Sequence, residues 1–142
     1  MIVLDTSVIL KWYLEEEDSD KALYYRTEYL NNHIDITVPD LILYEVSNAL
    51  KYNRDYIIND IKLVIESLFL SKINIVSPTV ELISLAIEYA NYFDVSIYDS
   101  TYLALSSLLD FQFITADEKF YKKIIVKNKN IKIKLLKNII IE

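Results

Sequence analysis

Four carboxylates sit where a carboxylate needs a reason: Asp5, Glu45, Asp99 and Asp117. Gathered in one pocket they would repel and could not all ionise without help. A divalent cation resolves that conflict. The chain has no cysteine and only one histidine, His33, so the donors are hard oxygens, which select Mg²⁺ or Mn²⁺. Such an ion keeps several waters, one of which can become an attacking hydroxide. Glycine is absent altogether, which excludes Walker and dinucleotide loops. Phosphate must be held another way.

Taken singly, the four differ in weight. Asp5 follows the apolar run Ile2–Leu4 and alone reads best as a helix cap. Asp117, in "TADEKF", also has a strong capping reading. Glu45 falls inside the apolar arc of Leu41, Ile42, Leu43, Val46, Ala49 and Leu50, while Tyr44, Ser47 and Lys51 take the solvent side. An unpaired carboxylate there would cost several kcal/mol, so it calls for a cation or a wet cleft. Asp99 is the only charged residue of "SIYDSTYLALSSLL" (96–109). A helix apolar on nearly every side is expected to be buried, which makes a site role for Asp99 the better reading.

Strands are expected at 2–4, 35–38, 73–76, 111–115 and 131–136. Helices are expected from about Ser7, then over 19–31, 40–52, 59–70, 79–92, 97–109 and 117–125. The acidic run Glu15 to Asp20 interrupts the first helical stretch. Strands alternating with helices imply an α/β/α sandwich around a mostly parallel sheet of about five strands. In such sheets ligands bind beyond the carboxyl ends of the strands, and each acid follows a strand or lies early in the next helix. No linker or repeat interrupts the pattern, so residues 1–142 are expected to form one domain.

Composition supports a folded chain: 142 residues, 53% hydrophobic, enough for a real core. The absence of cysteine suits a reducing cytoplasm. Asp5 breaks the N-terminal apolar run and no basic region precedes it, so no signal peptide is expected. No stretch suggests a membrane span. The net charge of -6 is uneven: residues 119–137 hold eight lysines and no acid. That segment could meet a phosphate backbone, or could be an edge strand guarded by lysines. Lys11, Arg26, Lys51 and Arg54 are further basic candidates for such a contact, and twelve tyrosines offer stacking surfaces without singling one out.

"VLDTSV", "LYEVSNAL", "YDSTYLALS" and "TAD" together resemble a PIN domain of the VapC toxin type, over essentially the whole chain. The resemblance implies an endoribonuclease whose metal-binding acids are Asp5, Glu45, Asp99 and Asp117. Thr6, Ser7 and Thr115 match hydroxyl positions that support the acids or nearby waters. Ser100 stands where relatives often carry alanine, a small-for-small change. The resemblance also implies an RNA substrate, a homodimer and a VapB-type antitoxin. Two other readings are an acidic phosphotransfer or phosphatase-like domain and a non-catalytic binding module on the same fold. The phosphatase type requires a second aspartate two residues after the first, where this chain has Ser7.

Overall fold

A computed structural model describes all of residues 1–142. Its sheet is built from β1 (Ile2–Leu4), β2 (Ile36–Pro39), β3 (Asn74–Val76), β4 (Gln112–Thr115) and β5 (Ile133–Leu135). Every pairing is parallel, in the order β3-β2-β1-β4-β5. The central β1 is buried at all three positions, which is why its sequence is a continuous apolar run rather than an alternation. Seven helices flank the sheet: α1 (Thr6–Ile9), α2 (Ser19–Leu30), α3 (Leu41–Lys51), α4 (Ile58–Leu70), α5 (Val80–Phe93), α6 (Ile97–Leu109) and α7 (Glu118–Lys127). One cluster of 28 buried side chains, including Val3, Leu4, Val46, Leu103 and Phe113, joins the layers. No helix is long and apolar enough to cross a membrane.

The expected α/β/α fold is therefore the observed one, with shifts at element ends. The first helical stretch is short: α1 tightens into a 3₁₀ turn at Leu10–Trp12. The last strand covers only Ile133–Leu135, and a 3₁₀ turn takes Leu136–Asn138. β5 closes one edge of the sheet, with Ile133 and Leu135 buried and Lys134 exposed. The edge-strand reading of this segment thus holds for Lys134, whose charge discourages further strand pairing.

Without glycine, the chain needs other residues wherever the backbone turns left-handed. Asp18, Asn32, Asp94 and Asp110 take positive φ, since their short polar side chains tolerate that region best. Asp94 and Asp110 are the C-caps of α5 and α6, positions glycine usually holds. The turn after Asp94 sets the start of α6, and so the place of Asp99.

Candidate active site

Leaving β1, the chain crosses to β2 on one side, while β4 lies on the other. The crevice between the carboxyl ends of β1 and β4 is the switch point at which open α/β sheets bind ligands. Asp5 emerges there from β1, and Thr115, Ala116 and Asp117 from β4. The backbone ties the two exits together, with the Asp5 N–H donating to the Ile114 carbonyl at 3.3 Å.

Asp5 is the most constrained of the four acids. It caps α1, accepting from the Val8 N–H at 3.3 Å on Oδ1. The Ser7 hydroxyl donates to the same oxygen, and the Thr115 hydroxyl donates to Oδ2. Those hydroxyls are themselves held: Ser7 Oγ accepts from the Ala116 N–H at 2.9 Å, and Thr115 Oγ1 from the Asp117 N–H at 3.1 Å. Burial nevertheless dominates its titration. It pushes the Asp5 carboxyl up to about 7, against the lowering effect of these bonds, and the Asp99 charge adds to the rise. Cap and site readings of Asp5 are not alternatives here. One oxygen caps a helix while the carboxyl sits where β1 and β4 end, close enough to sense the Asp99 charge.

Glu45 projects from α3, half-buried as its place on the apolar arc requires. Its Oε1 accepts from the Thr6 hydroxyl at 2.8 Å and from the Tyr102 phenol at 2.7 Å. Those two hydroxyl oxygens lie 2.8 Å apart, so one carboxylate oxygen is fixed by two donors and Oε2 is left free. Tyr102 is almost wholly buried. Burial first, and then the adjacent Glu45 carboxylate, hold its phenol far above the ordinary range, so it stays a donor. Nothing in the sequence marks Tyr102, because a tyrosine in an apolar helix reads as core.

Asp99 departs from the sequence expectation in one respect. α6 is buried only over residues 100–106, and Asp99 lies exposed in its first turn. The cap is Ser96, whose hydroxyl accepts from the Asp99 N–H at 3.0 Å. An acid in the first turn also suits the helix dipole. Enough protein surrounds the carboxyl for desolvation to raise its pKa, opposed by Ser96 and reinforced by the charges of Glu45 and Asp117. Asp117 is exposed and caps α7, its Oδ1 accepting from the Phe120 N–H at 2.9 Å, which leaves Oδ2 free. Asp99 and Asp117 line one cavity of about 240 Å³.

The topology thus brings the four acids to the carboxyl-end side of the sheet, near enough for Asp99 to sense Asp5, Glu45 and Asp117. As placed, no three of them are grouped tightly enough to hold a metal ion. The donor chemistry still fits Mg²⁺ or Mn²⁺. Every donor is oxygen, Glu45 and Asp117 each keep a free carboxylate oxygen, and Mg²⁺ retains several waters through which separated carboxylates can act.

A parallel α/β/α sheet with acids at its switch point defines a class of small domains with an acid-lined crevice. Within that class the chain belongs to the PIN domain family, whose sequence profile matches residues 2–124. No curated protein matches the sequence. Among solved structures it is similar to FitAcB from Neisseria gonorrhoeae, with a TM-score of 0.69 at 14% identity over 98% of this chain and 100% of that one. It is also similar to VapC20 from Mycobacterium tuberculosis, described as a sarcin–ricin-loop-cleaving toxin, with a TM-score of 0.68 at 17% identity over 86% and 94%. VapBC2 from Rickettsia felis, solved on a promoter DNA fragment, gives 0.67 at 15% over 95% and 98%. At these identities the likeness shows the fold.

Proposed function

We propose that this chain is a Mg²⁺- or Mn²⁺-dependent endoribonuclease, acting as one domain and as the toxin of a VapBC-type pair in the cytoplasm. The observation that carries the reading is that Asp5, Glu45, Asp99 and Asp117, each on a separate element, lie near enough for Asp99 to interact with the other three. When bound, the metal supplies the charge that neutralises the scissile phosphate and activates water. The chain's own part is positional. Ser7 and Thr115 fix both oxygens of Asp5, Thr6 and Tyr102 fix one oxygen of Glu45, and the helix caps set Asp99 and Asp117. Such preset ligands need little reorganisation when substrate arrives.

An antitoxin partner and a homodimer belong to the same proposal. The resemblance to toxin–antitoxin complexes supports it, and so does the apolar surface of the α3–α4 region. There Tyr52, Ile57, Ile58, Leu63, Phe69 and Leu70 are all more than half exposed, a density of apolar groups that suits a partner chain.

The direct test is cleavage of RNA by the purified protein with Mn²⁺, with EDTA, and by Asp99→Asn prepared in parallel. Cleavage is expected only from the wild type with metal, with Asp99→Asn folded by circular dichroism. Equal degradation by both proteins would assign the activity to a contaminant or to another site.

Metal binding by calorimetry checks the Glu45 arm. Glu45→Gln is expected to bind Mn²⁺ more weakly without unfolding. Tyr102→Phe is expected to lose roughly tenfold or more, as groups that orient metal ligands commonly do. Wild-type affinity in Glu45→Gln would remove Glu45 from the site. Wild-type affinity in Tyr102→Phe alone would leave Tyr102 as core packing.

A further inference from the structure

Two cavities flank Asp117, and their charges differ. The larger, about 350 Å³, is lined by Lys11, Glu17, Asp18, Asp117, Glu118 and Lys137 among others. Both of its cations are already paired. Lys11 Nζ lies 3.1 Å from Glu16, and Lys137 Nζ lies 2.9 Å from Glu118. Its remaining surface is acidic and repels a polyanion. The second cavity, about 240 Å³, sets Asp99 and Asp117 opposite Lys119 and Lys123 of α7.

The lysines of α7 have separate tasks. Lys119, Lys123 and Lys127 are spaced one turn apart, about 6 Å of helix rise each. Lys127 donates to the Tyr92 carbonyl at 2.5 Å and stands over the Tyr92 ring at 5.3 Å. Lys123 donates to the Asp94 carbonyl at 2.6 Å and lies 3.7 Å from its carboxylate. These two pin α7 to the end of α5. Lys119, at the end of the stripe nearest the acids, is exposed and has no ion-pair partner. It is the uncommitted cation on the wall facing Asp99 and Asp117.

We propose that Lys119 is a phosphate-binding residue, seating the RNA phosphodiester next to the one cleaved, so that a single strand leaves the acidic crevice along α7. The proposal rests on the nuclease reading above and gives the strand a side. Lys123 closes the wall by charge while its bond to Asp94 holds the helix in place. The flanking phosphate needs a cation because Asp99 and Asp117 alone would repel it. Lys51, held over Tyr52, and Lys11 do not meet this need.

The test compares wild type, Lys119→Ala, Lys119→Glu, Lys119→Arg and the edge-strand control Lys134→Ala. Binding of a short unstructured fluorescent RNA is followed by anisotropy in EDTA over a range of salt, and KM and kcat are measured separately with Mn²⁺. Lys119→Ala is expected to weaken binding roughly threefold to tenfold. It should also flatten the salt dependence by about 0.7 in log–log slope, the share of one phosphate contact on a single strand. KM should rise with kcat unchanged, more steeply in Lys119→Glu. Lys119→Arg should restore binding, and Lys134→Ala should match wild type. If wild type binds or cleaves RNA and Lys119→Ala keeps the same slope and KM, Lys119 carries no phosphate and the inference fails alone. If wild type neither binds nor cleaves RNA in either arm, the nuclease reading fails and takes this inference with it.

Discussion

Asp5→Asn is expected to slow RNA cleavage roughly a hundredfold while raising the stability of the metal-free protein at pH 8. The two effects share one cause. Burial holds the Asp5 carboxyl at about 7, well above its ordinary 3.8. The folded state therefore binds this proton more tightly than the unfolded one. Its contribution to stability is complete below the unfolded value and is lost as pH rises through the folded one. At pH 8 the folded protein carries an ionised, desolvated carboxylate at a cost of a few kcal/mol. Asparagine removes that charge. It keeps an oxygen for Ser7 and Val8 but turns an amide toward Thr115, whose hydroxyl then loses the carboxylate oxygen to which it donated. One bond is lost, at about 1–3 kcal/mol at any pH, so the variant should gain about 1–2 kcal/mol at pH 8 and lose about 1–2 kcal/mol near pH 4, where the charge cost is gone and only the lost bond remains. Activity moves the other way. Losing about 3 kcal/mol of charge stabilisation at the phosphate is roughly a hundredfold in rate. Denaturant melts at pH 4 and pH 8 with a cleavage assay decide it. Equal destabilisation of the variant at both pH values would show that Asp5 is a structural cap alone.

The trade seen at Asp5 explains which parts of the site could be read from sequence. Glu45 was legible because a carboxylate on an apolar arc is a local contradiction, visible over two helical turns. Its half-buried position with two hydroxyl donors shows how the contradiction is resolved. The sheet was legible for a similar reason, since a buried parallel strand writes itself as an uninterrupted apolar run. Asp99 was misjudged in burial, though not in placement on α6. The helix lies where it was expected, over Ile97–Leu109, but its burial begins only at Ser100, so the first turn that carries Asp99 stays exposed. An apolar composition says that a helix packs into the core and does not say whether its first turn projects beyond it. Tyr102 was invisible because its partner Glu45 lies 57 positions away, joined only by sheet order. The lysine-rich segment shows the same limit. Its lysines look alike in sequence, yet the structure gives them different tasks: Lys134 on an edge strand, Lys123 and Lys127 pinning α7, Lys132 and Lys137 in ion pairs, and Lys119 unpaired on the wall beside Asp99 and Asp117.

The strongest dependence on conditions should be that of metal on stability, and it should switch with pH. A divalent ion that binds the folded protein alone stabilises it by about 2.7 kcal/mol at a hundredfold excess over its dissociation constant. For a chain of this size that is a rise of several degrees in melting temperature. The ion requires ionised carboxylates. Asp5, at about 7 without metal, is the last to ionise, and Asp99 is also raised by its surroundings and by Glu45 and Asp117. Mn²⁺ should therefore raise the melting temperature strongly at pH 8, weakly near pH 6 and not at all near pH 5. Cleavage should fall over the same interval, displaced to lower pH as metal concentration rises, because metal and proton compete for the same carboxylate. Asp5→Asn should flatten the dependence, while Lys119→Ala, which lacks no metal-facing acid, should keep it. A metal-induced shift of equal size at pH 5 and pH 8 would place the ion away from Asp5. Stabilisation that follows Asp5 ionisation in the wild type and disappears in Asp5→Asn ties metal, proton and carboxylate to the one crevice.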